Sequence, residues 1–327
     1  MLECTKVVPL AAESLGVRSM CTYVETPDVR VLLDAGVSLC PNRFGLPPHP
    51  KEFEAIIDCR ERIAQFADKA EVVTLSHYHF DHHTPSYGDW LSQWTEDSET
   101  ARQIYQGKHV LMKNPRECIN ASQRHRGWLF QQTGAKHAKK WETADSKSFL
   151  FGSTLIRFSE PVFHGSEDSF LGWVLMTVIE FQGEKFMFAP DVQGPISMRT
   201  LQLIVQEKPD MIMLGGPPLY LAGFRVDEKQ IQTGLTNLKE VVKHVPTTIL
   251  EHHILRDENW NEKTTDVFYC AFEAGHTVLT AAQFLNKPNI FLEAKRKTLF
   301  KEHPPSKDFE RWMKLGGEAQ KKVKNPL

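Results

Sequence analysis

Four histidines and one aspartate lie within seven residues of the chain, at His77, His79, Asp81, His82 and His83. Imidazole and carboxylate groups are common ligands of Zn²⁺, and they also bind iron or manganese. So many ionisable side chains are unfavourable in an apolar core unless partners satisfy them. The alternative is a polar turn with solvated or hydrogen-bonded histidines, but so dense a run favours a metal site.

The spacing within this motif predicts two groups of ligands. His77 and His79 are two residues apart, so on an extended strand end their side chains point the same way and can meet one ion. If the chain then turns into a helix, Asp81 and His82 are presented toward a second ion. Cations held in this way lower the pKa of a water molecule toward neutrality, which prepares it to attack a carbonyl or phosphorus centre.

A short buried strand is predicted to position the motif. Residues 72–75 read Val-Val-Thr-Leu, and β-branched residues fit a packed, pleated surface. Several other predicted strands also end at an acidic residue or a histidine. The side chains that follow these strands are, in chain order, Asp34, His164, Asp191 and the pair His252-His253. Polar side chains placed repeatedly at one edge of a sheet are what a built site requires.

Amphipathic helices are predicted between some of these strands. Residues 53–70 carry an apolar stripe at helical spacing, and residues 230–244 carry another. A strand, a helix and then the histidine-bearing strand form a β-α-β opening, which predicts a mixed α/β protein.

The overall composition sets bounds on the fold and its surroundings. The chain has 327 residues, of which 41% are hydrophobic and 24% charged, and its net charge of −2 neither favours nor excludes a charged partner. Six scattered cysteines without a CxxC pair indicate reduced thiols rather than a disulfide framework. No apolar run reaches the ~20 residues that span a bilayer. Because the N-terminus also lacks a signal-peptide core, we expect a cytoplasmic protein without a membrane partner.

The segment 84–147 is predicted to be an insertion that covers or flanks the metal motif. Its periodicity is poor, and residues 101–147 hold ten Lys or Arg against three acids. A basic run is commonly a solvated surface. It can also attract an anionic substrate, and Lys139 and Lys140 are then candidates to contact that substrate.

The residues at the strand ends resemble those of the metallo-β-lactamase superfamily of hydrolases. The resemblance covers residues of about 30 to 255 and rests on these positions in order: Asp34, His77-x-His79-x-Asp81-His82, His164, Asp191 and the His252-His253 pair. The basic segment and the His-His-Ile-Leu-Arg-Asp ending look most like a mainly archaeal branch. The resemblance implies an α/β fold, a four-layer αββα sandwich of two mixed β-sheets, in a single domain over residues 1–327.

The resemblance also implies a role for each of these side chains. The implied ligands are His77, His79 and His164 for one cation, Asp81, His82 and His252 for the other, and Asp191 as a bridge. His253 could replace His252, because local sequence does not decide between adjacent histidines. Asp34 would orient a ligand histidine, and His83 would lie beside the ligands or serve the structure. Among the catalytic residues, Asp191 would set the metal spacing and Asp81 would also orient the nucleophile.

The expected function is a dinuclear metallohydrolase with two divalent metal ions, Zn²⁺ or else Mn or Fe. The basic segment favours a phosphodiester, as a small molecule or a nucleic acid with anionic character, slightly over an ester, lactone or thioester. In the redox di-iron branch of the superfamily that this chain resembles, a glutamate stands at the position of His79. The histidine in this chain therefore favours hydrolysis. Tyr220 could donate a hydrogen bond to the substrate. The alternative is a catalytically silent protein that keeps its metals to bind a ligand, and a homo-oligomer is compatible with either function.

Residues 261–327 are predicted to form a peripheral C-terminal element. Short helices are expected at 266–274 and 280–285, around an apolar Val278-Leu279, and a charged stretch interrupted by Pro304-Pro305 follows. A solvated face is the main interpretation of that stretch, with a dimer contact or a nucleic-acid contact as the alternative.

Overall fold

Two mixed β-sheets face each other in this computed structural model, which describes residues 2–86, 98–167, 169–323 and 326. The first sheet has six strands in the spatial order of the chain: β1 Lys6–Pro9, β2 Thr22–Glu25, β3 Arg30–Leu33, β4 Val72–Leu75, β5 His109–Met112 and β6 Lys140–Thr143. Strands β1 to β3 pair antiparallel, and strands β3 to β6 pair parallel.

The second sheet has seven strands and comes from the later part of the chain. The strands that follow β6 are β7 Ser148–Phe151, β8 Thr154–Phe158, β9 Val162–Phe163, β10 Trp173–Val174, β11 Thr177–Phe181, β12 Glu184–Ala189, β13 Met211–Gly215, β14 Thr247–Glu251 and β15 Thr277–Leu279. The order across the sheet is β15-β14-β13-β12-β11-β8-β7, and β9 pairs only with β10. Strands β12 to β15 run parallel, whereas the remaining pairings in this sheet are antiparallel.

Helices connect the strands and cover the outer faces of both sheets. The α-helices are α1 Pro50–Ala67, α2 Ser98–Tyr105, α3 Ala121–Gln132, α4 Met198–Glu207, α5 Glu228–His244, α6 Trp260–Lys263, α7 Thr265–Glu273, α8 Ala281–Phe284, α9 Arg296–Glu302, α10 Lys307–Met313 and α11 Gly317–Lys322. Short 3₁₀ helices span Gly134–His137, Leu219–Leu221 and His252–Arg256. Among the described helices, none combines the length and apolar character that crossing a membrane requires.

Alternation along the central strands builds a core on both faces of each sheet. In β4, Val72 packs between the sheets, whereas Val73 packs beneath the helices of the first sheet. In β13, Met211 packs between the sheets and Ile212 beneath the helices of the second sheet. Successive side chains of a strand point to opposite faces, so each central strand is buried on both sides. The predicted αββα sandwich of two mixed sheets is therefore confirmed.

The segment 84–147, predicted to be an insertion, is instead part of the first sheet. It supplies β5 and β6, which extend the sheet in parallel beyond β4. Residues 87–97 of the segment lie outside the described residues. The sequence did not predict these two strands, because strands of four residues between polar loops leave only a brief apolar signal.

The C-terminal region, predicted to be peripheral, also contributes to the core. Strand β15 pairs with β14 in the second sheet. Farther along, Phe309 and Trp312 of α10 are buried against Phe53 of α1, at ring-centroid distances of 5.7 and 5.5 Å. The end of the chain therefore packs back onto the first helix.

Candidate metal centre

The candidate site lies where strands of both sheets reach their carboxyl ends. Asp34 directly follows β3, the motif at residues 77–83 follows β4, and His252 directly follows β14. Asp191 lies two residues beyond β12, and His164 comes directly after the short strand β9. In open α/β sheets this is the edge at which ligands bind, because polar loop residues from several strands meet there.

Asp191 lies at the centre of the cluster. Its Oδ2 atom is 3.0 Å from His77 Nε2, 2.9 Å from His164 Nε2 and 3.2 Å from His82 Nε2. Its Oδ1 atom is 2.9 Å from His252 Nε2. One buried carboxylate thus faces histidines from both sheets.

Four overlapping groups of side chains have potential ligand atoms within 4.8 Å of one another, and two of them consist of Asp34, His77 and His82 and of Asp191, His252 and His253. The other two match the expected ligand sets. The first of these consists of His77, His79, His164 and Asp191, and the second of Asp81, His82 and His252. The folded chain therefore brings together the two sets that the resemblance implied.

The ring nitrogens of these groups are placed better for binding divalent cations than for hydrogen bonding to one another. His77 Nε2 lies 3.0 Å from His79 Nδ1, and His82 Nε2 lies 3.4 Å from His252 Nε2. Two imidazole nitrogens this close direct lone pairs at the same space unless a proton or cation lies between them. His164 Nε2 is buried and, although near Asp191, has no partner of hydrogen-bond geometry among the described residues. Imidazole and carboxylate without thiolate suit zinc, manganese or iron.

The charges around the cluster also favour bound cations. Burial lowers the pKa of His82, but nearby carboxylates, with Asp191 foremost, outweigh it and hold that pKa well above the usual range. Burial also lowers the pKa of His252, but the negative charge of Glu13 outweighs this effect and the pKa is raised to about 9. Burial would raise the pKa of Asp81, yet the neighbouring histidines hold it well below its usual range. Ionised carboxylates in a buried site attract positive charge.

Asp34 holds His82 from the side away from the cluster. Its Oδ2 atom accepts a hydrogen bond from His82 Nδ1 at 2.8 Å, and its Oδ1 atom accepts one from the Ser76 backbone N–H at 2.7 Å. Gly36 lets the turn after Asp34 pack onto the motif, because a Cβ atom there would lie 2.2 Å from the backbone nitrogen of His83. Asp34 thus contacts a candidate ligand, the position that the resemblance implied.

The adjacent histidines at 252 and 253 take different positions. His252 is completely buried, with Nε2 3.5 Å from Asp81 Oδ2 and Nδ1 3.0 Å from Glu13 Oε2. His253 lines the cleft described below, and its Nδ1 lies 3.4 Å from Asp191 Oδ1. The structure groups His252 rather than His253 with the second set. Sequence reasoning missed Glu13, because a single acid in a loop carries no local signal.

His83 is buried behind the motif. Its Nδ1 lies 2.9 Å from the carbonyl oxygen of His79, and burial lowers its pKa to about 3. Its ring packs edge-on against Tyr78 and Phe130, at centroid distances of 5.7 and 6.1 Å. These contacts hold a neutral imidazole in place as support for the motif.

A cleft of about 340 Å³ opens onto the cluster. Its lining includes His79, Asp81, His164, Asp191, Arg126, Tyr220 and Arg256. Arg126 projects from α3, with its guanidinium 4.3 Å from the ring centroid of Phe80, and it forms no ion pair with any carboxylate in the described ranges. The hydroxyl of Tyr220 lies 3.5 Å from Arg256 Nη1.

Lys139 and Lys140 do not reach this cleft. Lys140 begins β6 and pairs with His109 at the amino end of β5. His109 in turn pairs with Val72 at the amino end of β4. The cluster follows the carboxyl end of β4, so both lysines lie at the opposite end of the sheet. The prediction that they contact substrate is therefore wrong, and the basic residue that this segment places in the cleft is Arg126.

Archaeal proteins of similar sequence match nearly the whole chain. The UPF0282 protein of Methanopyrus kandleri is 43% identical over 294 residues, which cover 90% of this chain and 98% of that protein. The chain belongs to the UPF0282 family. The UPF0282 protein of Methanocaldococcus jannaschii is also 43% identical, over 295 residues that cover 90% of this chain and 96% of that protein. No family model matches the sequence.

Solved structures of different proteins share this fold at low sequence identity. CmlA, a diiron β-hydroxylase from Streptomyces venezuelae, aligns with a TM-score of 0.51 at 12% identity over 86% of this chain and 53% of CmlA. Unliganded yeast PDE1 aligns with a TM-score of 0.51 at 9% identity over 85% of this chain and 98% of that one. Likeness at such low identity shows the fold alone. The reaction has to be inferred from the site.

Proposed function

We propose that this UPF0282 protein is a metal-dependent hydrolase that uses two divalent cations to cleave a phosphodiester bond. The observation that carries the proposal is the convergence of two ligand sets on Asp191 at a cleft that also contains Arg126. A complete donor set favours an enzyme over a silent binding protein, in which some ligands are commonly lost.

Each candidate ligand has a definite place in this proposal. His77, His79 and His164 would hold one cation, Asp81, His82 and His252 would hold the other, and Asp191 would contact both. When bound, such cations lower the pKa of water and polarise the oxygen atoms of a substrate. Asp81 is partly exposed and lines the cleft, so its carboxylate is placed to accept a hydrogen bond from the attacking water and orient it.

The position of Arg126 in the cleft favours an anionic substrate. A guanidinium offers paired donors that match phosphate oxygens, and this one has no carboxylate partner among the described residues. Phe80 lies between His79 and Asp81 in the chain, so its contact with Arg126 fixes the guanidinium relative to the ligands. A cleft of about 340 Å³ is near the small end of ligand pockets, which favours a small phosphodiester or the end of a strand over a folded nucleic acid.

The proposal is tested with a bis-aryl phosphodiester, a thioester and a lactone, each with and without Zn²⁺ or Mn²⁺. We expect metal-dependent hydrolysis of the phosphodiester that Asp81→Ala and Asp191→Ala abolish. Arg126→Gln should raise KM for the phosphodiester about tenfold, because a charge-assisted hydrogen bond contributes roughly 1.5–3 kcal/mol. Lys140→Gln, at the far end of the sheet, is the matched control and should leave KM unchanged.

Other outcomes would replace parts of the proposal. Turnover of the lactone or thioester alone would make the protein an ester-type hydrolase. A phosphodiester KM that Arg126→Gln leaves unchanged would remove Arg126 from substrate binding. No turnover of any substrate, with both cations bound, would favour the silent binding protein.

A further inference from the structure

We propose that the two cation positions differ in affinity, and that the position of Asp81, His82 and His252 fills first because Asp34 and Glu13 hold its two histidines. The inference rests on the metal centre of the proposed function. It concerns how the chain binds the cations, whatever bond the protein cleaves.

Both histidines of this position have a carboxylate behind them. A histidine that binds a cation through one ring nitrogen carries a proton on the other, and a carboxylate that accepts this proton fixes the ring and strengthens the ligand. Asp34 Oδ2 lies 2.8 Å from His82 Nδ1, and Glu13 Oε2 lies 3.0 Å from His252 Nδ1. The Nε2 atoms of both rings face Asp191, at 3.2 and 2.9 Å, and that of His252 also lies 3.3 Å from Arg256 Nη2.

Glu13 is itself held in place. It is 5% exposed, and its Oε1 atom accepts a hydrogen bond from Arg256 Nε at 2.7 Å. Arg256 lies 3.6 Å from Asp81, so Glu13 also offsets a positive charge that would otherwise oppose a cation at this position. The Glu13 carboxylate therefore holds the ring of His252 and also neutralises the charge of Arg256.

Two of the three histidines of the other position, His77 and His164, have neutral partners instead. His77 Nδ1 lies 2.9 Å from the Ser76 hydroxyl, which in turn donates to Asp34. His164 Nδ1 lies 3.4 Å from Gln193 Nε2, an amide nitrogen that donates and cannot accept a proton from the ring. In the described ranges, no carboxylate contacts the outer nitrogen of either ring. A hydroxyl is a weaker acceptor than a carboxylate, and an amide nitrogen accepts no hydrogen bond, so these imidazoles are weaker ligands.

Exposure to the cleft predicts the same order of filling for the two cation positions. The side chain of His79 is 25% exposed, and both His79 and His164 line the cleft. His82 and His252 are completely buried. A cation bound by the first set faces the cleft through His79 and His164, whereas one bound by the second set faces it only through Asp81, whose side chain is 16% exposed.

The test is a titration of metal-free protein with Zn²⁺ in competition with a chromophoric chelator. We expect two binding phases, of which Asp34→Asn and Glu13→Gln weaken the tighter one 10–100-fold. His164→Asn should remove the weaker phase and spare the tighter one. Glu240→Gln, which changes an exposed carboxylate on α5, is the control and should alter neither phase.

A second measurement on the unmodified protein keeps the inference testable if a variant does not fold. Excess EDTA should remove one equivalent of Zn²⁺ quickly and the other slowly. Loss of both equivalents in one phase, or equal weakening of both phases by the Asp34 and Glu13 substitutions, would overturn it. Two equal sites with phosphodiester turnover would sink only this inference, whereas two unequal sites without turnover would sink only the proposed reaction.

Discussion

Three residues of the cluster hold an uncommon backbone conformation. Asp34, Asp191 and His252 have φ angles of 48°, 52° and 68°. The left-handed region is uncommon for residues other than glycine and costs on the order of 1–3 kcal/mol where the surroundings enforce it. All three lie at or just beyond the end of a strand and carry side chains of the site. We infer that the strain is retained because it directs these side chains into the cluster.

The choice between the two adjacent histidines gives the first prediction. His252→Ala should lower the bound metal to about one equivalent per chain, because His252 lies with Asp81 in the second set. His253→Ala should keep both equivalents, because His253 does not group with Asp81 and His82. Elemental analysis of the two variants makes the comparison. Loss of metal in His253→Ala with none lost in His252→Ala would reverse the assignment.

The buried ion pair of Glu293 with Arg18 lets us predict how the free energy of unfolding depends on pH. Burial opposes ionisation of this side chain, but Arg18, at 2.6 Å, outweighs it and lowers the pKa to about 2. The unfolded value is about 4.3, so the ion pair contributes stability above that pH and loses it as the pH falls toward about 2. The contribution is about 3 kcal/mol.

Urea unfolding at several pH values measures this contribution. The free energy of unfolding should fall as the pH is lowered from about 5 to about 2, and it should fall less steeply in Glu293→Gln. Equal slopes for the two proteins would show that Glu293 is not the group responsible.

At the scale of elements, a buried ion pair attaches the C-terminal helices to α1. Arg296, at the start of α9, donates hydrogen bonds to both carboxylate oxygens of Glu52 at 2.7 Å and to the carbonyl oxygen of Cys40 at 2.9 Å. Both charged side chains are almost completely buried. Removing one partner leaves the other charge unpaired, which costs about 3–5 kcal/mol.

Arg296→Met should therefore lower the urea midpoint strongly. Arg311→Met is the control, because Arg311 forms an exposed pair with Asp308 on α10 and should hardly change the midpoint. A midpoint that Arg296→Met leaves unchanged would mean that the last helices are not attached to α1 through this pair.

The elements also show what the sequence could predict. The motif at residues 77–83 follows its strand within two residues, so its spacing was informative by itself. Glu13 and Arg126 reach the site only through contacts with residues far away in the chain, which no local pattern reveals. Strands β5 and β6 were missed for a related reason, since they are buried by their neighbours in the sheet rather than marked by a long apolar run.

At the scale of the whole molecule, the candidate centre joins the two sheets. His77, Asp81 and His82 follow β4 of the first sheet, and Asp191 and His252 follow strands of the second. Cations held between them would bind only the folded arrangement, so they would stabilise it by mass action. The same convergence is what the proposed hydrolysis requires.

The number of metal ions bound per chain tests this convergence most directly. Elemental analysis of protein purified without chelators, and of protein refolded with zinc, manganese or iron, should find close to two ions per chain. Asp191→Ala should reduce that number, because Asp191 faces both ligand sets. Fully folded protein that binds no stoichiometric ion under any of these conditions would contradict the account.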